Sequence, residues 1–143
     1  MPSVLSRLVL SVVVFAAAAA CGDTPTTPGG VSALTQTDLV VGSGAVAATG
    51  NSITVEYTGW LYDATKTDNK GLQFDTSTGR APFTFTLGSG QVIAGWDQGL
   101  VNLRVGGTRR LLVPPSLAYG TTRNGPIPAN STLVFDVQLV SIQ

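Results

Sequence analysis

The sequence contains no histidine and one cysteine, Cys21, among its 143 residues. Without histidine, the usual base of a nucleophilic triad is missing, and zinc sites usually need histidine or several cysteines. One cysteine cannot form a disulfide within the chain, so the fold must be stabilised by its core. These absences exclude most nucleophilic and metal chemistry, and we expect no metal and no cofactor.

Charge is also scarce, since only 11% of the residues are charged and eight basic residues balance eight acidic ones. A net charge of 0 lacks the basic surface by which proteins bind nucleic acids, so we expect no nucleic-acid partner. The hydrophobic share of 43% is sufficient for a packed core, and 143 residues predict one folded domain.

The first 21 residues have the pattern of an export signal, in which Arg7 precedes an apolar run at 8–20. The three alanines at 18–20 suit a signal peptidase, whereas Cys21 directly after them suits a bacterial lipobox. In the first alternative the protein is soluble, either secreted or periplasmic, and carries a free thiol. In the second, which we favour, Cys21 is lipidated and anchors the protein in the bacterial cell envelope. The protein would then contact the membrane only through this lipid.

Threonine, proline and glycine dominate the next segment, residues 22–33, which predicts a tether. The folded domain is then expected at 34–143. Within it, alternating apolar and polar residues predict strands at 52–58, 82–87, 109–113 and 132–140, and 39–41 is a candidate edge strand. One short helix is expected at 94–102, and residues 68–71 suggest a solvated turn. The pattern predicts a half-buried antiparallel sheet with one helix lying on it, an α+β fold.

Two short strings, QFDTS at 73–77 and VIAGW at 92–96, place large apolar side chains beside a single acid, Asp75. In a chain without histidine, this cluster indicates an apolar pocket rather than a nucleophilic or metal site.

Further blocks surround these strings in a fixed order. They are VEYTG at 55–59, FDTS at 74–77, PFTF at 82–85, LG at 87–88, QVIAGWDQGL at 91–100, AYG at 118–120, IPANSTL at 127–133 and FDV at 135–137. With these blocks, the chain from about residue 52 to 143 resembles the FKBP-type peptidyl-prolyl isomerases, the macrolide-binding immunophilins.

The resemblance implies an antiparallel sheet of about five strands wrapped around one short helix, with a pocket between them. The catalytic positions it implies are Tyr57, Asp75, Ile93 and Tyr119, and the substrate-binding positions are Phe74, Phe83, Val92, Trp96, Ile127 and Phe135. Trp96 would form the pocket floor. The backbone N–H of Ile93 and the hydroxyl of Tyr119 would hold substrate carbonyls, and Asp75 would accept hydrogen bonds from Tyr57 and Arg80 as a positioning group.

This chemistry needs no base, because rotation about an X-Pro bond transfers no proton and forms no covalent intermediate. The barrier, near 20 kcal/mol, comes from amide resonance. An apolar cavity disfavours the charge-separated planar amide more than the twisted transition state. The expected partners are proline-containing polypeptides and, as inhibitors, macrolides.

Two loops depart from the family pattern. The connection at 63–71 is longer than in compact members and could lean over the pocket, and the loop at 119–127 lacks a histidine often found there. No inserted chaperone domain or preceding dimerisation helix is evident, so we expect a monomer. Three functions stay open: an isomerase assisting the folding of exported proteins, a binding module or chaperone for proline-containing segments with little turnover, and a structural surface lipoprotein.

Overall fold

The structure, a computed structural model, describes residues 30–143. The predicted export signal at 1–21, Cys21 and most of the predicted tether at 22–33 lie outside these residues. Six strands and one α-helix follow in the described part: β1 (Thr35–Val40), β2 (Ser52–Tyr62), β3 (Lys70–Thr76), β4 (Phe83–Thr86), α1 (Ala94–Gly99), β5 (Thr108–Val113) and β6 (Leu133–Ile142). Short 3₁₀ turns occur at Thr67–Asn69 and Pro115–Leu117.

The strands form one antiparallel sheet in the order β1-β5-β6-β2-β3, and β4 also pairs with β2. The length of β2, 11 residues, explains how two strands share its outer edge. Its first residues pair with β4, and its last ones pair with β3 in a register that sets Gly59 opposite Asp75. The pairing thereby brings Phe74 of β3 and Phe83 of β4 to the same edge of β2.

Alternation along the strands decides which side chains enter the core. On β6, Leu133, Phe135, Val137 and Leu139 are buried, and on β2 Ile53 and Val55 are fully buried. Successive side chains of a strand point to opposite faces, so these sets line the inner face. The faces predicted from the sequence for these two strands are confirmed.

The helix α1 lies very close to β5, because two of its glycines face that strand. A Cβ at Gly95 would overlap Cγ1 of Val113, and one at Gly99 would lie 2.7 Å from Cδ2 of Leu111. Since Leu111 and Val113 are fully buried, the helix backbone occupies the space that side chains would otherwise need. Glycine is a poor helix former, yet Gly95 and Gly99 are required for the packing of this helix.

Several element boundaries differ from those predicted. The helix ends at Gly99, before Asn102, which has a left-handed φ of 67°. The edge strand β1 starts at Thr35 and ends at Val40, and all six of its residues are exposed. Five strands were predicted, and the structure has six. The additional strand is β3, which begins with Lys70 and Gly71, two residues that were expected in a solvated turn.

The long connection between β2 and β3 does not lean over the pocket, which corrects the expectation from sequence. Two ion pairs hold it to the sheet. Nζ of Lys70 lies 2.7 Å from Oδ2 of Asp136, and Oδ1 of Asp68 lies 3.2 Å from Nη1 of Arg110. Asp136 follows Phe135 on β6 and therefore points to the opposite face of the sheet. The connection is fastened to the outer face, away from α1.

Candidate active site

A cavity of about 220 Å³ opens between the sheet and α1. Its lining residues are Tyr57, Phe74, Asp75, Phe83, Gln91, Val92, Ile93, Trp96, Tyr119 and Phe135. They come from β2, β3, β4, β6, α1 and two loops. Nine of the ten predicted site residues are thus brought together around one cavity.

Ile127 is the predicted site residue that the structure does not bring to the cavity. It is only 4% exposed and belongs to the hydrophobic core, where its backbone N–H donates to the carbonyl of Asn124. In this position it supports the loop that carries Tyr119 instead of lining the cavity. Sequence reasoning missed Gln91, whose side-chain Oε1 accepts a 2.8 Å hydrogen bond from the N–H of Thr86.

Trp96 lies at the centre of the aromatic side chains. Its ring centroid is 5.0 Å from that of Tyr57 and 5.3 Å from that of Phe135, both in edge-to-face geometry. The side chain is 5% exposed, and its Nε1–H has no hydrogen-bond partner among the described residues. The ring therefore contributes an apolar surface to the lining of the cavity.

Phe74 and Phe135 form a second edge-to-face pair, with ring centroids 5.6 Å apart and planes at 90°. Both rings lie over Gly59 of β2, where an added Cβ would be 2.7 Å from Cζ of Phe74 and 2.9 Å from Cε1 of Phe135. Only glycine leaves room for the two rings at this point. The strand pairing of β2 with β3 and β6 therefore shapes the aromatic wall.

One corner of the cavity is polar. The hydroxyl of Tyr57 donates to Oδ2 of Asp75 at 2.6 Å, and Nη2 of Arg80 donates to Oδ1 at 2.7 Å. The backbone N–H of Thr76 also donates to Oδ1, at 2.9 Å. Both carboxylate oxygens of Asp75 are therefore satisfied by donors, as an acid beside apolar rings requires.

The protonation states follow from these contacts. Burial by itself would raise the pKa of Asp75, but the hydrogen bonds from Tyr57, Arg80 and Thr76 outweigh it and lower the pKa below its usual value. Burial, followed by the hydrogen bond to Asp75, raises the pKa of Tyr57 to about 12. At neutral pH the pair is a carboxylate and a neutral phenol, so neither group is suited to proton transfer.

The remaining predicted positions offer donors at the rim. Ile93 precedes α1 with an extended backbone, φ −58° and ψ 149°, and no acceptor for its N–H is found among the described residues. Tyr119 is 37% exposed and lines the cavity on the opposite loop. Both groups are thus available to a ligand carbonyl.

Residues 30–143 contain no cluster of three metal-ligating side chains. None of the helices within them is long and apolar enough to cross a membrane. The cavity combines an aromatic interior with hydrogen-bond donors at its rim, an arrangement suited to binding an apolar ring next to polar groups.

Comparisons with known proteins agree with this geometry. Residues 44–140 match the family model of the FKBP-type peptidyl-prolyl cis-trans isomerases. FK506-binding protein 1 of Aspergillus oryzae is 43% identical over 105 residues, which cover 71% of this chain and 90% of that protein. FK506-binding protein 1 of Gibberella zeae is 45% identical over 108 residues, which cover 75% of this chain and 96% of that protein.

Longer relatives are matched over only part of their length. The chain spans 21% of FK506-binding protein 4 of Gibberella zeae, with 43% identity over 113 residues. Among solved structures, AtFKBP13 superposes with a TM-score of 0.67 at 36% identity, covering 81% of this chain and 98% of that one. FkpA from Escherichia coli superposes with a TM-score of 0.65 at 39% identity, covering 77% and 48%.

The family match spans most of the chain, and the relatives are matched over nearly their whole length at more than 40% identity. The sheet and the short helix agree with the fold of the solved structures. This chain belongs to the family of FKBP-type peptidyl-prolyl cis-trans isomerases.

Proposed function

We propose that this isomerase assists the folding of exported proteins by accelerating X-Pro rotation, and that it is held at the bacterial cell envelope by a lipid on Cys21. One observation carries the catalytic part of the proposal: the carboxylate of Asp75, fully hydrogen-bonded, lies at the edge of an aromatic cavity floored by Trp96. The export pattern at 1–21 supports the location.

The aromatic floor and wall supply the binding site for the proline ring. The ring would lie on Trp96, between Phe74 and Phe135, where edge-to-face packing fixes the side chains. Burying the prolyl amide in this cavity removes the water that stabilises the planar, charge-separated form. The twisted form, which has lost amide resonance, is less affected, and each decrease of about 1.4 kcal/mol in the barrier gives a tenfold rate increase.

The rim groups orient the substrate rather than react with it. The free N–H of Ile93 and the hydroxyl of Tyr119 would hold the carbonyls that flank the rotating bond, so that one end of the substrate is fixed while the other turns. The hydrogen bonds of Asp75 would hold the side chain of Tyr57 and the C-terminal end of β3 in place. Because one chain lines the whole cavity, we propose that the protein acts as a monomer.

The same cavity would bind macrolides. The curated relatives are named as FK506-binding proteins, and they share this domain at 43–45% identity. An inhibitor that fills the aromatic cavity would compete with the prolyl substrate. Inhibition by a macrolide therefore links turnover to this cavity.

Turnover is tested with a chain that begins at residue 22 and with short peptides that vary the residue before proline. We expect catalysed cis–trans exchange that a macrolide inhibits. Tyr57→Phe should lower kcat/KM by about tenfold, because Asp75 loses a charge-assisted hydrogen bond and its carboxylate is held less firmly at the polar corner of the cavity. Tyr62→Phe, at the far end of β2, is the matched control with unchanged kcat/KM. Peptide binding without acceleration would instead identify a binding module.

The lipid anchor is tested by mass spectrometry of the mature N-terminus after expression in a bacterium. We expect a diacylated Cys21 and recovery of the protein in the membrane fraction. Cys21→Ser should move the protein into the soluble fraction while its isomerase activity stays the same, because the cavity lies in residues 57–135. An unmodified Cys21 at the N-terminus would show that the protein is released after export.

A further inference from the structure

The helix α1 supports the active site, yet it has only six residues. Helices this short are unstable in isolation, so tertiary contacts must hold α1 in place. It carries Trp96, and Ile93 immediately precedes it. A small displacement of this helix would move both the floor of the cavity and the free N–H at its rim.

Three inward-facing residues of β5 lie in a row along the length of α1. Val113 and Leu111 contact Gly95 and Gly99, and the next residue in this row is Arg109. The arginine is 7% exposed, which is unusual for a charged side chain. Its Nη1 donates 2.8 Å hydrogen bonds to the carbonyl oxygens of both Gly99 and Val101.

Gly99 is the last residue of α1, where backbone oxygens lack partners within the helix, and Val101 lies in the turn directly after it. A cation at this end is also favoured by the helix dipole. The guanidinium therefore satisfies two acceptors and opposes the partial negative charge at the same time. Lysine or a neutral side chain would not reproduce this set of contacts.

Asp38 on the edge strand β1 holds the guanidinium from the other side. Its Oδ1 accepts from Nε of Arg109 at 2.6 Å, and its Oδ2 accepts from Nη2 at 3.3 Å. The hydrogen bond from Arg109 keeps the pKa of Asp38 below its usual value, against a smaller opposing effect of burial. The pair is thus charged at neutral pH, and the arginine has one available orientation.

We infer that Arg109 is a positioning residue for the isomerase reaction: oriented by Asp38, it fixes the C-terminal end of α1 and thereby the places of Trp96 and the Ile93 N–H. The inference rests on the roles proposed above for those two groups. Arg109 itself does not line the cavity.

The test compares Arg109→Met with Arg110→Met in the full chain. Arg110 is the adjacent residue of β5, but it points to the outer face and pairs with Asp136 and Asp68. At a temperature where all variants are folded, we expect Arg109→Met to lower kcat/KM by about tenfold or more, because a displaced floor misplaces the substrate. Arg110→Met should stay within about twofold of the unchanged protein.

A second readout is independent of turnover. The indole N–H signal of Trp96 in a ¹H–¹⁵N spectrum should shift in Arg109→Met, while that of Trp60, which lies on β2 beside Lys70, should not. Arg109→Lys should restore part of kcat/KM and part of the shift, since an ammonium group can bind a carbonyl but not every partner. If the unchanged protein lacks activity, the proposed function fails, and the indole shift still tests the positioning.

The inference is overturned if Arg109→Met only lowers the unfolding temperature and leaves both kcat/KM and the Trp96 signal like those of Arg110→Met. If Arg109→Met does not fold, Asp38→Asn replaces it, because the amide keeps the shape of the carboxylate and loses its charge. We then expect a smaller shift of the same Trp96 signal. An unchanged signal in Asp38→Asn would equally contradict the inference.

Discussion

Phe135→Ala is expected to lower the free energy of unfolding by about 3–5 kcal/mol and kcat/KM by about 100-fold. The ring is buried in the core and packs edge-to-face against both Trp96 and Phe74. Its removal leaves a space that rigid neighbours of β6 cannot fill, and the cavity loses the wall between its floor and Phe74. Urea unfolding and peptide exchange kinetics measure the two effects on the same preparation.

Leu139→Ala is the matched control for this change. Leu139 is fully buried on the same face of β6 but does not line the cavity. We expect a comparable loss, about 2–5 kcal/mol, with kcat/KM little changed at a temperature where the variant is folded. Equal losses of kcat/KM in the two variants would show that Phe135 acts through stability alone.

Phe135→Leu separates ring packing from apolar volume. Leucine keeps part of the buried area, so the expected loss of stability is smaller than with alanine. It cannot restore the edge-to-face contacts with Trp96 and Phe74, which contribute about 0.5–1.5 kcal/mol per aromatic pair. Activity that remains well below normal in this better-packed variant would assign the catalytic loss to the aromatic wall.

The inner faces of β2 and β6 could be predicted from sequence because their apolar residues alternate. Burial of one face requires this period, and Ile53, Val55, Leu133 and Val137 obey it. The strand β3 lacks such a signal. Its seven residues are all intermediate or exposed, since it lies at the end of the sheet and covers little of the core.

The residues of the candidate site, too, could be predicted from the sequence only in part. The aromatic residues and Asp75 could be assigned because they occur in ordered blocks that resemble a family. Ile127 shares such a block, but its loop turns the side chain into the core. Gln91 is absent from the predicted set because its contact with the N–H of Thr86 depends on how the turn after β4 folds. Nothing in the local pattern specifies that contact.

The importance of Arg109 was equally hidden. In the sequence it is the first of two adjacent arginines at the start of a predicted strand, and a charged residue is ordinarily placed in solvent. The strand alternation instead sends Arg109 inward with Leu111 and Val113, and Arg110 outward. Recognising its role requires the position of α1, which is a long-range property of the fold.

The close contact of α1 with β5 gives a second large expected effect. Gly95→Ala should lower the free energy of unfolding by about 1–3 kcal/mol, although alanine is the better helix former by about 1 kcal/mol. The new methyl group would overlap Cγ1 of Val113 and lie 3.0 Å from its Cγ2. Valine is branched at Cβ and fully buried, so it cannot rotate away, and the helix must move instead.

Movement of α1 should also reduce catalysis. A shift of about 1 Å at the reacting groups can cost as much as 100-fold in rate, and Trp96 adjoins the substituted residue. We therefore expect kcat/KM of Gly95→Ala to fall by about tenfold or more at a temperature where it is folded. Gly79→Ala, at a glycine with no atom near an added Cβ, is the comparison: its φ of 79° gives a loss of stability without a loss of turnover.

Combining Gly95→Ala with Val113→Ala tests this explanation, because Val113→Ala removes the two methyl groups that the new alanine side chain would contact. Alone, it should destabilise the protein by leaving a cavity in the core. Combined with Gly95→Ala, the two changes should cost about 0.5–3 kcal/mol less than their sum, and kcat/KM should recover in part. Strict additivity in stability, or a double variant as inactive as Gly95→Ala, would show that the separation of helix and strand does not control the cavity.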